Sequence, residues 1–302
     1  MYFKVSKKEF YNALSVASRA ISTFSPLPAF SGIKIDAKED CLILTGSDAD
    51  VSIQTKLTKS EECVLEIRDM GSIVIEAKYI LEIVRKIDAD EIEFEMIDGS
   101  LTKISGNTAE FRINGMRANE YPAIDFSKPK ECFALKEETL KKVILQTSFA
   151  TSDKETRPVL TGVNFHCEGN TLHCVATDSY RLAKKTIDIS ESLNFNITIP
   201  AKSLSEVVKT LEGEGEVEIA VNDKKAQFII HDTIVQTRLI DGVYPETSRL
   251  IPLQFDYELT IDSRDLLNAI DRASFIKNDG VSVIKFSLSE QECVLSSKSV
   301  EV

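Results

Sequence analysis

The sequence contains the same pattern three times, and this repetition constrains the fold more than any other feature. Residues 3–21, an apolar strand followed by a helix-like run, return 130 positions later as residues 133–147. They return again 126 positions after that, as residues 259–274. A repeat of this length indicates duplicated domains, because the units of a solenoid are much shorter. A chain built of copied domains is more often a scaffold than an enzyme.

Each copy is itself divided into two similar halves. In the first two copies the second half starts at residues 73–78 and 197–202, and it ends at the pairs Tyr121-Pro122 and Tyr244-Pro245. The third copy stops at Val302 after its first half, so we expect a C-terminally truncated piece of a longer protein. Polar, Pro-containing joints after each Tyr-Pro pair predict domains at 1–126, 127–252 and 253–302, the last being a half domain.

Two periodicities alternate within each half. Apolar residues such as Phe10 and Leu14 recur on one helical face, whereas Ile33 and Ile35 alternate with polar residues as in a half-buried strand. Asp-Gly and Gly-Asn pairs between the strands favour hairpins. The sequence therefore predicts an α+β fold of repeated domains, each built from two strand–helix–three-strand halves with helices on one side of antiparallel sheets.

Helix starts are marked in some copies and not in others. Ser6 followed by Glu9 predicts a capping box for the first helix, and Asp262 with Asp265 predicts a similar start in the third copy. Lys136 occupies the corresponding place in the second copy and is no cap.

Charge and composition limit the classes of function. The net charge is −12, which argues against a protein that binds nucleic acid over its whole surface. The five helix-like runs nevertheless sum to +5, so a basic helical face inside an acidic body is one interpretation, and ordinary solvated helix surfaces are the other. The sequence has no apolar run near the ~20 residues of a membrane span and no signal peptide. We therefore expect a cytoplasmic protein with reduced, mostly buried cysteines and no membrane partner.

Metal-type ligands crowd together at one place only. A hairpin turning at Gly169-Asn170 would pair His166 with His173 and place both histidines on one face of the sheet, with Cys167 and Cys174 on the other. Four ligands on opposite faces cannot converge on one ion, so we predict no metal site and no cofactor. A hydrolase or metal enzyme centred on the two histidines remains an alternative. The sequence shows no nucleophile elbow, phosphate loop or paired catalytic carboxylates, and we predict no catalytic residues.

Three segments predict a binding pocket. Residues 157–160, 176–183 and 244–250 combine aliphatic side chains with two arginines, which suits a short linear peptide with aliphatic anchors and an acidic or polar flank. The alternative is a cluster that packs two domains together.

At these residues the chain resembles the sliding clamp family, the beta subunits of bacterial DNA polymerase III. The resemblance covers all 302 residues and is carried by Arg-Pro-Val-Leu at 157–160, Ala-Thr-Asp-Ser-Tyr-Arg-Leu-Ala at 176–183, Pro-Ala-Lys at 200–202 and Asp-Gly-Val-Tyr-Pro at 241–245. It implies a head-to-tail homodimeric ring with helices lining a central hole and sheets outside. Such a ring is opened by a clamp loader and has no catalysis of its own. It would hold replicative DNA polymerase subunits and other replication or repair proteins on double-stranded DNA without reading sequence.

The resemblance also assigns residues. The partner-peptide pocket would involve Leu160, Thr177, Ser179, Tyr180, Arg181, Leu182, Pro245, Arg249 and Leu250. The DNA contacts would be Lys78, Lys154 and Lys202. The dimer interface would pair Ile83, Phe111 and Ile113 of one subunit with Phe275 and Ile276 of the other. Phe24 stands where the family often has Arg, so an adaptor that kept this fold but lost DNA is a second alternative.

Overall fold

The computed structural model describes residues 1–22, 27–276 and 282–298, so the expectation for Phe24 lies outside the described residues. The chain forms two compact units, residues 1–244 and residues 245–302. Among the described residues, no helix has both the length and the apolar character that crossing a membrane requires.

The larger unit contains the first two copies. In the first copy the elements are β1 Tyr2–Ser6, α1 Lys7–Ser18, β2 Gly32–Ala37, β3 Cys41–Ser47, β4 Val51–Thr58, β5 Leu65–Asp69, β6 Gly71–Glu76, α2 Ala77–Lys86, β7 Glu91–Asp98, β8 Leu101–Gly106, β9 Ala109–Asn114 and β10 Met116–Arg117. In the second they are β11 Glu131–Lys136, α3 Glu137–Leu145, β12 Gly162–Thr177, β13 Leu182–Pro200, α4 Ala201–Thr210, β14 Glu216–Val221, β15 Lys225–Ile230 and β16 Thr233–Arg238. The smaller unit holds α5 Ser263–Ser274, β17 Lys285–Leu288 and β18 Cys293–Ser296.

Each of the helices α1 to α4 follows a strand directly and buries one apolar stripe, whereas α5 has neither a strand directly before it nor a buried residue. In α1 the stripe is Phe10, Leu14 and Ala17, which are fully buried where α1 packs against α2 and against β3 and β4. In α2 it is Ile80 and Val84. Spacings of three and four residues place these side chains on one helical face. The predicted α+β class is confirmed, because the strand pairs of the described residues are antiparallel and helices α1 to α4 pack on the sheets.

One predicted helix start is wrong and another is confirmed. The Ser6 side chain makes no cap to α1, because its Oγ accepts a hydrogen bond from the Val64 N–H at 2.8 Å instead. At α5 the Asp262 Oδ1 accepts from the N–H groups of Arg264 and Asp265 at 2.9 and 3.0 Å. A side-chain oxygen that accepts from another segment of the chain is drawn away from the helix N–H groups that it would otherwise satisfy.

A nine-stranded sheet runs through both copies in the order β10-β6-β2-β3-β4-β16-β15-β14-β11. The copies meet where β4 pairs antiparallel with β16, from Thr55 opposite Thr233 to Val51 opposite Thr237. A second sheet, with the order β5-β1-β7-β8-β9, lies within the first copy. Among the described residues, β9 pairs only with β8 and is therefore an edge strand.

β12 and β13 pair in two registers, residues 162–169 with 193–200 and residues 171–177 with 182–188. The rings of His166 and His173 lie 6.5 Å apart, so β12 doubles back between them, at the point where Gly169 has a φ of 61°. This is the hairpin predicted from Gly169-Asn170.

Each of the first two copies has its own hydrophobic core. The first is built around Phe3, Phe10 and Phe94, with the rings of Phe3 and Phe94 stacked 4.7 Å apart. The second surrounds Phe133, Phe165 and Phe228 but also takes in Val51 and Ile53 from β4 of the first copy. The junction between β4 and β16 is therefore part of the second core as well as of the sheet.

Candidate partner-binding and DNA-facing sites

A tight turn joins β12 to β13 and displays three of the predicted pocket residues, Ser179, Tyr180 and Arg181. Asp178 holds this turn, because its Oδ1 accepts from the N–H groups of Tyr180 at 2.9 Å and Arg181 at 3.0 Å. Arg181 Nε also donates to Asp178 Oδ2 at 3.0 Å. The bond from the Tyr180 N–H, followed by those from Arg181, holds the pKa of Asp178 below its ordinary value. Ser179 takes the left-handed conformation that the turn requires, with a φ of 78°.

The turn presents an exposed aromatic ring and a positioned guanidinium group. Tyr180 is 96% exposed, and the Arg181 guanidinium lies 5.7 Å from the centre of the Phe149 ring. Phe149 is itself largely exposed. Such an arrangement of aromatic and cationic groups at the surface is typical of residues that contribute strongly to protein binding.

Other predicted pocket residues support the turn from behind. The Thr177 N–H donates to Tyr244 Oη at 3.0 Å, and Thr177 Oγ1 donates to the Arg181 carbonyl at 2.6 Å. Burial raises the pKa of Tyr244, and the bond from Thr177 partly offsets that rise. Leu160 is buried on a short 3₁₀ helix, Pro158–Thr161, that packs against β12. Leu182 is half-buried.

Pro245, Arg249 and Leu250 belong to the smaller unit. Within that unit the Leu250 N–H donates to the Thr247 carbonyl at 3.1 Å, which closes a turn, and Leu250 is exposed. Their assembly with the turn at Asp178 stays a prediction.

Sequence reasoning missed two residues at this site. Phe149 follows α3 in a 3₁₀ turn, Ser148–Ala150, and nothing in the local pattern tied it to Arg181 thirty-two positions later. Tyr244 lay within the segment 244–250 that the sequence analysis gave to the pocket, but it was not named among the pocket residues.

Two of the three predicted DNA-contacting lysines occupy equivalent positions. Lys78 and Lys202 are each the second residue of their helix, α2 and α4. Lys202 Nζ lies 3.3 Å from Oδ2 of Asp48 in the first copy, whereas Lys78 lies over the Tyr79 ring at 4.8 Å. Lys154 is exposed in a loop, where its N–H donates to Ser152 Oγ at 3.0 Å. All three ammonium groups can reach solvent and anions.

The predicted interface residues divide between the two units. Phe111 and Ile113 lie on the edge strand β9, with Ile83 on α2 half-buried beside the first core. In the smaller unit Phe275 is almost fully exposed and Ile276 is half-buried. Apolar side chains on an open strand edge are typical of a surface that another strand covers.

The histidine hairpin separates its ligands as the register predicted. Cys167 and Cys174 are buried, whereas His166 and His173 face outward. His166 Nε2 lies 3.2 Å from Glu168 Oε1, and His173 Nδ1 shares a hydrogen bond with Thr186 Oγ1 at 2.9 Å. Burial lowers the pKa of His173. Across residues 1–22, 27–276 and 282–298, no group of three or more His, Cys, Asp or Glu side chains is placed to hold a metal ion.

Two family models match the chain. Residues 1–125 match the DNA polymerase III beta subunit, N-terminal domain, and residues 134–246 match the DNA polymerase III beta subunit, central domain. Together these two matches cover most of the larger unit. The first match falls within the first copy of the repeat, and the second match falls within the second copy.

Relatives and solved structures agree with these models. The Beta sliding clamp of Bacillus subtilis is 38% identical over 309 residues, covering 100% of this chain and 82% of that protein, and the Beta sliding clamp of Staphylococcus aureus is 36% identical, covering 100% and 81%. The crystal structure of the DNA polymerase sliding clamp from Bacillus subtilis superposes with a TM-score of 0.93 at 34% identity, covering 98% of this chain and 83% of that chain. The beta subunit from the DNA polymerase of Streptococcus pyogenes gives 0.93 at 28% identity, covering 100% and 81%.

Proposed function

The chain belongs to the beta sliding clamp family of DNA polymerase III, and from that premise we propose how its parts act. As a member it is a DNA polymerase processivity factor that works with DNA and polymerase in replication. In this proposal it acts in the cytoplasm as a homodimeric ring around duplex DNA, is opened by a clamp loader and carries out no catalysis itself. The repeats would be the domains 1–126, 127–252 and the half domain 253–302.

The observation that carries the ring proposal is the pairing of β4 with β16. β9 occupies in the first copy the place that β16 holds in the second, 124 positions further on. Since β16 is covered by a first-half strand of the neighbouring copy, β9 is expected to be covered by a first-half strand of the third copy in a partner subunit. A contact that repeats head to tail closes into a ring when its rotation allows. Phe111, Ile113 and Ile83 would then meet Phe275 and Ile276.

The lysines support the DNA side of the proposal. Lys78 and Lys202 would face duplex phosphates from equivalent helices, with Lys154 on a nearby loop. Contacts to phosphates position a protein on DNA but carry no sequence information, so a ring lined by such groups can slide. The acidic remainder of the chain would repel DNA from the other surfaces.

The ring is tested by retention on DNA of different topology. The protein is loaded with a clamp loader onto closed circular DNA, and retention is compared before and after the circle is cut. A ring stays on the circle and slides off the linear ends, so linearisation is expected to release it. Equal retention on both forms would refute topological linkage and favour the adaptor alternative.

The turn at Asp178 supports a partner-peptide pocket. We expect it to bind the tails of replicative polymerase subunits and of other replication and repair proteins. Arg181→Ala or Leu182→Ala should weaken binding of a polymerase-tail peptide by roughly 1 to 3 kcal/mol, because truncating a central contact residue leaves its partner groups unpaired. Lys59→Ala, on the exposed end of the first copy's sheet, is the matched control. Unchanged affinity in both pocket variants would mean that the pocket lies elsewhere.

A further inference from the structure

The first copy contains a cavity of about 400 Å³ at its boundary with the second copy. The first copy contributes Phe30, Asp50 and Pro122 to its walls, and the second contributes Lys224 and Arg238. All of these residues belong to the larger unit. None of them is assigned to the partner-peptide pocket, to DNA or to the dimer interface, so the cavity is a separate feature of the surface.

The walls of this cavity repeat those of the partner-peptide pocket. Asp48 Oδ1 accepts from the N–H groups of Asp50 at 3.1 Å and Val51 at 2.8 Å, as Asp178 does from Tyr180 and Arg181. Ala49 has a φ of 81°, against 78° for Ser179. Two turns of the same conformation, one in each copy, therefore project into the two sites.

The rest of the wall is repeated too. A short 3₁₀ helix, Pro28–Ser31, carries the buried Phe30 where Pro158–Thr161 carries Leu160. The edge-to-face pair of Phe30 and Tyr121 brings the Tyr-Pro segment against this helix, with the rings 5.3 Å apart. An apolar floor below a polar turn is thus common to both sites, and this comparison rests on the proposed pocket of the second copy.

The two sites differ in the charge that they present. Asp50 replaces Tyr180 at the tip of the turn, so the first-copy site has no exposed ring there. Arg238 lies on the wall opposite the turn. Its N–H donates to the Asp50 carbonyl at 2.9 Å, and this hydrogen bond joins the two copies at that point. Lys225 is engaged by Asp125, with its Nζ 2.7 Å from the Asp125 carbonyl.

Two cations remain available to a ligand. Lys224 and Arg238 are exposed, and within the described part of the chain neither ammonium nor guanidinium group has an ion-pair partner. Cations beside an apolar floor complement a segment that carries carboxylates next to aliphatic side chains. Because the chain has a net charge of −12, little of its surface attracts an acidic partner, and a site with two available cations stands out.

We propose that this cavity, the first-copy groove, is a second peptide-docking site, which binds an extended acidic segment with aliphatic anchors. The aliphatic side chains lie on Phe30 and Pro122, and the carboxylates meet Lys224 and Arg238. The groove binds independently of the partner-peptide pocket, because the two sites share no side chain.

The test uses the whole chain and a benzophenone-labelled peptide, Gly-Asp-Glu-Leu-Ile-Gly, that is photo-crosslinked and mapped by mass spectrometry. Labelling is expected within residues 47–52 or 122–125. The double variant Lys224→Glu with Arg238→Glu should weaken binding at this place about tenfold or more, because it reverses two charges that face the ligand. Lys38→Glu with Lys59→Glu makes the same change of net charge at exposed positions away from the groove and should leave binding unchanged.

A second variant checks the apolar side of the groove. Ala123 is exposed on the groove wall, so Ala123→Trp can fill the space without disturbing a core residue and should abolish the crosslinks at 47–52 and 122–125. Labelling confined to residues 177–182, or equal binding by the two charge-reversal variants, would overturn the proposal. If instead residues 177–182 are never labelled while the first-copy groove is, the partner-peptide pocket fails and the groove stands.

Discussion

β16 and β9 are counterpart strands, yet one is part of a core and the other is a surface. Val235 on β16 is 0% exposed, whereas Phe111, in the same place on β9, is 37% exposed. Thr237 is fully buried, whereas its counterpart Ile113 is only half-buried. The difference follows from pairing, because β4 covers β16 and among the described residues no strand covers the outer side of β9.

The side chains at each strand suit its surroundings, a covered junction for β16 and an open edge for β9. At the junction Thr55 Oγ1 and Thr233 Oγ1 share a hydrogen bond at 2.9 Å, so the buried hydroxyl groups satisfy each other. On β9, Glu110 and Arg112 are the sequence neighbours of Phe111 and pair with each other at the surface, where Arg112 Nε donates to Glu110 Oε1 at 3.0 Å. Charges on an open edge discourage indiscriminate strand pairing, so this edge can accept a specific partner. One repeat element is thus buried in a core or left open at the surface, according to what covers it.

The largest expected change is a loss of folding stability from a substitution on the covered strand, β16. Val235→Asp places a carboxylate without a partner in the second core and should lower the free energy of unfolding by about 4 kcal/mol or more. Urea denaturation of the whole chain measures this. Phe111→Asp, which puts a carboxylate at the same place on β9, is the matched control and should cost less than about 1 kcal/mol at protein concentrations where the chain is a monomer, because the charge then stays hydrated. Similar losses in both variants would erase the distinction between core and surface.

The next effect concerns association through the open edge. Phe111→Asp should raise the dissociation constant for self-association about 100-fold, since it buries a charge in an apolar contact. Sedimentation equilibrium over a range of protein concentrations measures it. Arg112→Ala, whose side chain lies on the exposed face of the same strand, should change association far less. An unaltered dissociation constant for Phe111→Asp would show that β9 is not the interface.

A smaller effect is expected at the ion pair that crosses the covered junction. Asp48→Asn keeps the oxygen that holds the turn but removes the negative charge 3.3 Å from Lys202 Nζ. Freed from its partner, Lys202 should bind phosphate better and steepen the salt dependence of DNA binding by up to about 0.9 in log–log slope. Filter binding at several salt concentrations measures the slope.

The equivalent change Asp178→Asn releases Arg181, which belongs to the proposed partner-peptide pocket, and serves as the control for this ion pair. Its slope should match that of the unmodified protein. No change in either variant would mean that Lys202 does not face DNA.

The smallest expected effect is a pH dependence of folding stability, which arises at Asp125 in the linker between the first and second copies. Hydrogen bonds from the Ser127 side chain and N–H, and then from Lys225, lower the pKa of Asp125 to about 2. Because the folded pKa lies below the ordinary value near 3.8, the contribution to stability is complete above that value and is lost as the pH falls toward 2. Asp125→Asn should therefore be less stable than the unmodified protein at pH 5, and the gap should close by pH 2. Urea midpoints across this range measure the gap, and a constant gap would contradict the assignment.

Local patterns predicted much of the fold and part of the sites. The helical stripe of Phe10 and Leu14 and the hairpin at Gly169 depend on neighbours in the sequence, and both were predicted. The Ser6 cap failed because Val64, far along the chain, supplies a competing N–H group. Phe149 was missed at the pocket for the same reason, since its contact with Arg181 joins two loops that no periodicity connects.

By itself the sequence determined the triple repeat and the α+β class, because repetition and periodicity can be read along the chain. The family was indicated by the resemblance of the motifs at 157–160, 176–183, 200–202 and 241–245. Only the tertiary structure decided that β16 lies under β4 while β9 has an open edge, and that Lys202 meets Asp48 from another copy. Strand pairing over such distances depends on which surfaces meet in space, and the alternating patterns of β9 and β16 do not encode that choice.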